Sequence, residues 1–229
     1  MPDVKLLVVD EPARACADRL LEAARSGGNI GLTGGSTPRE AYGLAAREPD
    51  AWEGVTVWFS DERCVPPDDE RSNYGLIRDS LLPGLTEAPP KVVRMKGELG
   101  PFAGADDYER SLREAGTPAL DLLLLGMGPD GHLASLFPDQ AMLSERSRLV
   151  VGVPEAGLEP FVPRISLTFT AIAAARQVLY LVTGASKADA AAAAFGEHAK
   201  PDPHVPSSLL PELTDRITVL LDRDAAAKL

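Results

Sequence analysis

Residues 121–132 read Asp-Leu-Leu-Leu-Leu-Gly-Met-Gly-Pro-Asp-Gly-His, a run of four leucines followed by a glycine-rich turn. A short, continuous apolar run that ends at glycines is typical of a strand buried on both faces of a parallel sheet. Ligands of α/β proteins collect just beyond the carboxyl ends of such strands. The three glycines remove side chains from the turn, so Asp130 and His132 can reach a ligand that approaches the backbone closely. The alternative is a glycine-rich strand end with an incidental surface histidine.

The bulk composition predicts an ordinary soluble protein. The chain has 229 residues, 45% of them hydrophobic and 25% charged, and we expect one domain over residues 1–229. The net charge is −11, and no Lys/Arg cluster offsets it, so nucleic acid and anionic membranes are not expected partners. Cys16 and Cys64 lack CxxC spacing, which argues against a structural zinc or a disulfide. A signal peptide and an apolar run of ~20 residues are both missing, so we expect a cytoplasmic location.

Strand-like and helix-like segments alternate along almost the whole chain. Besides the leucine run, the strand-like segments are 5–9, 29–32, 55–60, 92–95, 149–153, 164–168, 177–182 and 217–221. This alternation predicts an α/β fold with a mainly parallel, doubly wound, Rossmann-like sheet, helices on both faces and right-handed crossovers. The loops that follow the strands should then open on one rim of the sheet.

A second loop has the composition of an anion site. Residues 33–38 read Thr-Gly-Gly-Ser-Thr-Pro and precede a predicted helix over 39–47. Thr37 suits the helix cap and Pro38 its first position, so the amides near Gly35 and Ser36 can point at an anion, helped by two hydroxyls and the helix dipole. The loop matches neither the Walker phosphate loop nor a dinucleotide fingerprint, so ATP and NAD are not indicated. The alternative is a tight turn that needs glycines only for its geometry.

Two further strand ends carry charged residues. Asp61 and Arg63 follow the strand over 55–60 and begin a polar loop that runs to residue 74. Lys187 follows Thr-Gly-Ala-Ser at the start of an alanine-rich helix, where a lysine can reach an anion held by another helix N-terminus. Both observations have plain alternatives, a solvated loop in the first case and a surface lysine in the second.

Six motifs, taken together, resemble the 6-phosphogluconolactonase family, within the wider group that includes the glucosamine-6-phosphate deaminases. The motifs are GLTGGSTPREAY (31–42), WFSDER (58–63), RSNY (71–74), GMGPDGHLASLFP (126–138), PRISLT (163–168) and TGASK (183–187). Each motif is weak alone, but all six occur in this order over nearly the full length. The first and last match the segments that the group uses to hold a sugar 6-phosphate.

Two departures favour the lactonase branch over the deaminase branch. The deaminases follow the catalytic histidine with a Phe-Asn-Glu-Pro type segment, whereas this chain has Ser135-Leu136-Phe137-Pro138, without a carboxylate. The deaminases typically read Asp-Glu-Tyr where residues 61–63 read Asp-Glu-Arg. Asp61 is shared by both branches and does not separate them.

The resemblance implies hydrolysis of 6-phospho-D-glucono-1,5-lactone, the second step of the oxidative pentose phosphate pathway. His132 would activate water as a general base and Asp130 would orient the imidazole. Arg63 would stabilise the developing oxyanion or clamp the substrate. The residues expected to bind the substrate or its phosphate are Gly34, Gly35, Ser36, Thr37, Asp61, Arg63, Arg164 and Lys187. A lactone is an activated ester, so no metal and no cofactor are expected.

Two other functions stay open at this point. One is a deaminase or sugar-phosphate isomerase, and the other is a non-catalytic sugar-phosphate sensor of the kind found in transcription regulators. The first predicted strand starts close to residue 1, which leaves no room for a DNA-binding helix-turn-helix and counts against the sensor. The expected partner is a phosphorylated sugar lactone, and we expect a monomer or a weak homo-oligomer.

Overall fold

A computed structural model describes residues 4–86 and 89–229. The strands are β1 (Lys5–Val8), β2 (Gly28–Leu32), β3 (Val55–Phe59), β4 (Asp61–Arg63), β5 (Lys91–Val92), β6 (Leu122–Leu125), β7 (Val150–Val153), β8 (Arg164–Leu167), β9 (Val178–Val182) and β10 (Ile217–Leu221). The α-helices are α1 (Pro12–Arg25), α2 (Thr37–Ala45), α3 (Asn73–Ser80), α4 (Pro101–Glu114), α5 (Phe169–Ala173) and α6 (Ala188–Phe195). Short 3-10 helices cover Pro49–Trp52, Leu82–Gly84, Gly97–Leu99, Ala141–Ser144, Ala185–Lys187 and Pro206–Glu212.

The main sheet has seven parallel strands in the order β1-β10-β9-β6-β2-β3-β5. Every residue of β6, β9 and β10 is buried, as expected for central parallel strands covered by helices. The predicted α/β class, with its mainly parallel sheet, is confirmed.

The strand order reverses between β2 and β6. From β2 the chain continues to β3 and β5 on one side, whereas β6 is followed by β9 and β10 on the other. Such a reversal separates the two strand-end loops and leaves a crevice at the carboxyl edge, where α/β sheets bind ligands. The loops after β2 and β6 are those that carry the glycine-rich motifs, so both open on this crevice.

A second, antiparallel sheet corrects one prediction. Residues 61–63, expected to begin a polar loop, form strand β4, which pairs with β8, and β8 pairs with β7. The strands expected over 149–153 and 164–168 therefore exist, but they lie outside the main sheet. β4 follows β3 after Ser60 alone, and the pairing with β8 turns these three polar residues into a strand. We call the sheet β4-β8-β7 the small sheet.

Within residues 4–86 and 89–229, no helix has the length and apolar character needed to cross a membrane.

Candidate active site

A cleft of about 220 Å³ lies at the carboxyl edge of the main sheet. The loops after β2, β6 and β9 and the first residues of the small sheet all contribute to its wall. The predicted site residues that line it are Gly34, Gly35, Ser36, Thr37, Asp61, Arg63, His132, Arg164 and Lys187. Asp130 is not part of the wall and contacts it through His132. Segments 150 residues apart in the sequence thus meet at one cleft, while the role of each residue remains a prediction.

The glycine-rich turn leads into helix α2 at the cleft. The helix begins at Thr37 with Ser36 as its cap, one residue earlier than predicted, and neither hydroxyl makes a capping hydrogen bond. Gly35 has a φ of 96°, which favours glycine. A Cβ on Gly34 would lie 1.8 Å from Asn73 Oδ1, so only glycine fits against that side chain. The two hydroxyls and the first amides of the helix are therefore available to an anion.

His132 and Asp130 form a tight pair at the end of β6. The Nδ1 atom of His132 lies 2.6 Å from Asp130 Oδ1, and the His132 amide donates to the same oxygen at 3.2 Å. Partial burial opposes ionisation of Asp130, but the hydrogen bonds from His132 outweigh it and lower the pKa of this carboxyl. An ionised carboxylate only accepts, so Nδ1 carries the proton and Nε2 keeps its lone pair. The ring also packs on Phe137, with 4.7 Å between ring centroids.

The backbone of this loop folds tightly around the pair. The amide of Gly128 donates to the carbonyl of His132 at 2.9 Å, and the amide of Gly131 donates to the carbonyl of Gly128 at 3.0 Å. A Cβ on Gly128 would lie 2.0 Å from His132 Nδ1 and 2.3 Å from Asp130 Oδ1. Only glycine at position 128 therefore leaves room for the pair.

Replacing Gly128 by alanine is expected to lower kcat by about 100-fold, because a shift of roughly 1 Å at a reacting group costs that much. The added methyl group must push His132 or Asp130 out of place. The steady-state rate of hydrolysis of the lactone that the sequence resemblance implies as substrate measures the effect. The matched control is Gly43→Ala in α2, where no atom lies within 4 Å of the new Cβ. Equal activities of the two variants would contradict the assigned geometry.

Two arginines lie side by side on neighbouring strands of the small sheet. Arg63 and Arg164 are paired residues of β4 and β8. Arg164 is 3% exposed, and its guanidinium donates to the carbonyls of Pro160 at 2.7 Å and Val162 at 3.0 Å. Burial, followed by the charge of Arg63, lowers the pKa of Arg164 to about 10, so it is still a cation at neutral pH. In this structure Arg164 holds the 158–162 loop beside the cleft.

Arg63 keeps part of its donor capacity for a ligand. Its Nη1 donates to the carbonyl of Arg71 at 2.7 Å. Among the described residues its Nε has no hydrogen-bond partner although it is buried. Since an unpaired buried donor is costly, a group that accepts from Arg63 in the cleft would be stabilised.

Asp61 is held by three side chains at the cleft wall. Its Oδ1 accepts from Ser60 Oγ at 3.0 Å and from Asn73 Nδ2 at 3.1 Å, and its Oδ2 accepts from Ser135 Oγ at 2.7 Å. The carboxylate is 4% exposed. Two carboxylate oxygens offer about four acceptor positions, so one is left for a ligand hydroxyl.

Glu62 points away from the cleft wall and holds the start of α3. Its carboxylate accepts from the amides of Arg63, Asn73 and Tyr74 and from the Ser72 hydroxyl. Burial raises the pKa of Glu62, and these four hydrogen bonds oppose the change. A carboxylate at a helix N-terminus is also favoured by the helix dipole. Glu62 therefore fixes Asn73, which in turn contacts Asp61.

Lys187 reaches the cleft from the turn after β9. Gly184 has a φ of 91°, and its amide donates to Asp222 Oδ2 at 2.9 Å. The amide of Lys187 donates to the carbonyl of Gly184 at 3.0 Å, so Asp222 fixes the turn that carries the lysine. Partial burial lowers the pKa of Lys187, and the charge of Asp130 opposes the change. The ammonium group is half-buried, where it interacts more strongly with an anion than in bulk water.

Sequence reasoning missed several residues that build the cleft. They are Asn73, Ser135, Ser166 and Asp222. Asn73, Ser135 and Ser166 lie inside motifs that carry the family resemblance, which was the one available signal for them. The contacts themselves join residues up to 74 positions apart, and no local pattern shows such a distance.

The fold and the cleft define a class: an α/β protein with a polar ligand site at the carboxyl ends of its parallel strands. A model of the family "Glucosamine-6-phosphate isomerases/6-phosphogluconolactonase" matches residues 7–219. The chain belongs to this family.

Relatives in the family narrow the class further. The 6-phosphogluconolactonase of Homo sapiens is 37% identical over 218 residues, which cover 91% of this chain and 83% of the relative. That of Mycobacterium leprae (strain TN) is 39% identical over 219 residues, covering 90% and 87%. The solved structure of 6-phosphogluconolactonase from Trypanosoma cruzi aligns over 100% of this chain and 97% of its own, with a TM-score of 0.86 and 27% identity. The resemblance found in the sequence is confirmed.

Proposed function

We propose that the chain hydrolyses 6-phospho-D-glucono-1,5-lactone to 6-phospho-D-gluconate, the reaction after which its relatives are named. The observation that carries the mechanism is the Asp130–His132 pair, which delivers an imidazole to the same cleft as the glycine-rich turn. The same cleft thus holds a base and donors for a phosphate.

His132 acts as the general base through Nε2. With Nδ1–H held by Asp130, Nε2 takes a proton from water as the water oxygen bonds to the C1 carbonyl carbon. The tetrahedral intermediate then breaks its bond between C1 and the ring oxygen, and the imidazolium returns the proton to that oxygen. Arg63 lies in the cleft wall, and its guanidinium is a cation that suits the negative charge developing on the carbonyl oxygen.

The glycine-rich turn and Lys187 bind the 6-phosphate. The first amides of α2, the hydroxyls of Ser36 and Thr37, and the ammonium of Lys187 line this region. A helix N-terminus and a nearby cation form a site for a dianion without any metal ion. Within residues 4–86 and 89–229, no group of three or more His, Cys, Asp and Glu side chains is arranged to hold a metal.

Replacing Lys187 by methionine is expected to raise KM for the phosphorylated lactone by roughly 10- to 100-fold, the value of one charge-assisted hydrogen bond. We expect a much smaller change in kcat, because the lysine contacts the phosphate rather than the reacting carbonyl. Steady-state kinetics on the phosphorylated lactone and on unphosphorylated glucono-1,5-lactone measure the effect. Activity on the unphosphorylated compound should not change.

The control for charge is Lys91→Met, since Lys91 is exposed on β5 and does not line the cleft. Its KM should match that of the unaltered protein. An equal loss on both lactones in the Lys187 variant would contradict the phosphate assignment. Release of ammonia from glucosamine 6-phosphate at a rate similar to lactone hydrolysis would contradict the proposed reaction.

A further inference from the structure

Ser135 is a fully buried polar residue on the loop that carries His132. It is 0% exposed and lies three residues after His132, in a tight turn closed by a 2.9 Å hydrogen bond from the Leu136 amide to the Leu133 carbonyl. Ala134 in this turn has a φ of 48°, a conformation that is costly for a residue with a Cβ. The turn is thus held in a strained form that presents Ser135 to the small sheet.

Ser135 is tied to the small sheet at two points. Its hydroxyl donates to Asp61 Oδ2 at 2.7 Å, and its amide donates to Ser166 Oγ at 3.1 Å. Asp61 and Ser166 are themselves paired residues of β4 and β8. Among the described residues, both hydrogen bonds that join the 126–138 loop to the small sheet come from Ser135. The Arg164 guanidinium also lies over the Phe137 ring, 6.0 Å from its centroid, but the directional contacts between the His132 loop and the Asp61–Arg63 strand come from Ser135.

We propose that Ser135 is a positioning residue for lactone hydrolysis, which fixes the His132 loop against the strand that carries Asp61 and Arg63. This inference rests on the proposed function. His132 must approach the attacking water from the wall formed by the 126–138 loop, while Asp61 and Arg63 hold the substrate from the wall formed by the small sheet. Since general-base catalysis depends on sub-ångström placement, a loose tie between the two walls lowers kcat.

The effect of the Ser135–Asp61 hydrogen bond on position can be measured separately from its effect on the Asp61 carboxylate. Ser60 also donates to the Asp61 carboxylate, at 3.0 Å to Oδ1, but it precedes Asp61 directly in the chain. Removing the Ser60 hydroxyl therefore takes one hydrogen bond from the carboxylate and leaves the two walls joined. Removing the Ser135 hydroxyl takes one hydrogen bond from the same carboxylate and leaves, among the described residues, only the bond from the Ser135 amide to Ser166 between the His132 loop and the small sheet.

The test compares Ser135→Ala with Ser60→Ala. We expect Ser135→Ala to lower kcat roughly 10- to 100-fold, the range for a hydrogen bond to a charged group, and Ser60→Ala to lower it by less than about threefold. The inhibition constant of inorganic phosphate, which engages only the residues proposed to bind the 6-phosphate, should change less than about twofold in both. A general loosening of the fold would raise it, so this readout separates positioning from damage to the structure.

Two further variants complete the experiment. Ser166→Ala removes the partner of the Ser135 amide and should lower kcat in the same direction without altering Asp61. In an Asp61→Asn background, Ser135→Ala should cost much less than in the unaltered protein, because both changes break the same tie. If Ser135→Ala does not fold, the kcat of Ser166→Ala decides between the outcomes.

The proposal is overturned if Ser135→Ala, or Ser166→Ala in its place, keeps kcat within twofold of the unaltered protein. It is also overturned if Ser60→Ala loses as much kcat as Ser135→Ala, or if the effects of Ser135→Ala and Asp61→Asn are additive. Full activity of a His132 variant would instead overturn the proposed mechanism, and that result is independent of these.

Discussion

Replacing His132 by glutamine is expected to lower kcat for lactone hydrolysis by about 10²- to 10⁴-fold, the usual contribution of a positioned general base. Glutamine is similar in size and polar but accepts no proton near neutral pH. KM should change little, because the residues proposed to bind the phosphate are not altered. The assay is the initial rate of acid release, corrected for uncatalysed opening of the lactone.

The chain supplies a matched control for this variant. His204 is also paired with an aspartate, since its Nδ1 lies 2.8 Å from Asp139 Oδ2, but its side chain is 72% exposed and it does not line the cleft. His204→Gln removes an imidazole from the same kind of pair and should leave kcat unchanged. If His132→Gln retained most of its activity, another group would have to be the base.

The main sheet was predictable from the sequence because its strands carry a local signal. A run such as Leu122–Leu125 is apolar at every position and ends at glycines, and burial on both faces of a parallel sheet requires that pattern. The edge at which the loops meet was also predictable, because parallel strands all end at the same edge of the sheet. The Ser36 turn, the His132 loop and Lys187 all follow such strands, and they converge on one cleft as this rule predicts.

The small sheet was not predictable in the same way. β4 consists of Asp61, Glu62 and Arg63, three polar residues with little strand propensity. They become a strand because β8 pairs with them, a contact across about 100 residues that tertiary structure alone provides. The same loop was predicted to run to residue 74, whereas α3 begins at Asn73, but the strand is the larger error and shows pairing overriding propensity.

The hydrogen bonds between loops could not be predicted from the sequence either. Arg164 was expected to bind the substrate or its phosphate, and it lines the cleft, but the sequence did not show that its guanidinium also donates to the carbonyls of Pro160 and Val162. Those acceptors depend on the path of a loop, which residue types do not reveal. The same limit explains why Ser135 was noticed only for the absence of a carboxylate nearby, and not for its hydrogen bond to Asp61.

The Asp130 carboxylate determines which nitrogen of His132 is free, and this gives the second large prediction. Asp130→Asn should lower kcat by about 10²- to 10⁴-fold, as when the aspartate of a serine-protease triad is changed to asparagine. An asparagine amide can donate to Nδ1, which moves the ring proton to Nε2 and removes the lone pair that water needs. The asparagine also lacks the charge that stabilises the imidazolium.

The control is Asp139→Asn, which makes the same change beside His204 and should leave kcat unaltered. A second readout is the pH dependence of stability. Because the pKa of Asp130 is lowered in the folded protein, its ionised form contributes stability that is present above the unfolded pKa and lost as the pH falls through the folded value. Asp130→Asn should therefore be less stable than the unaltered protein at neutral pH, with a difference that shrinks in acid. A kcat near that of the unaltered protein would show that His132 does not depend on this carboxylate for its tautomer.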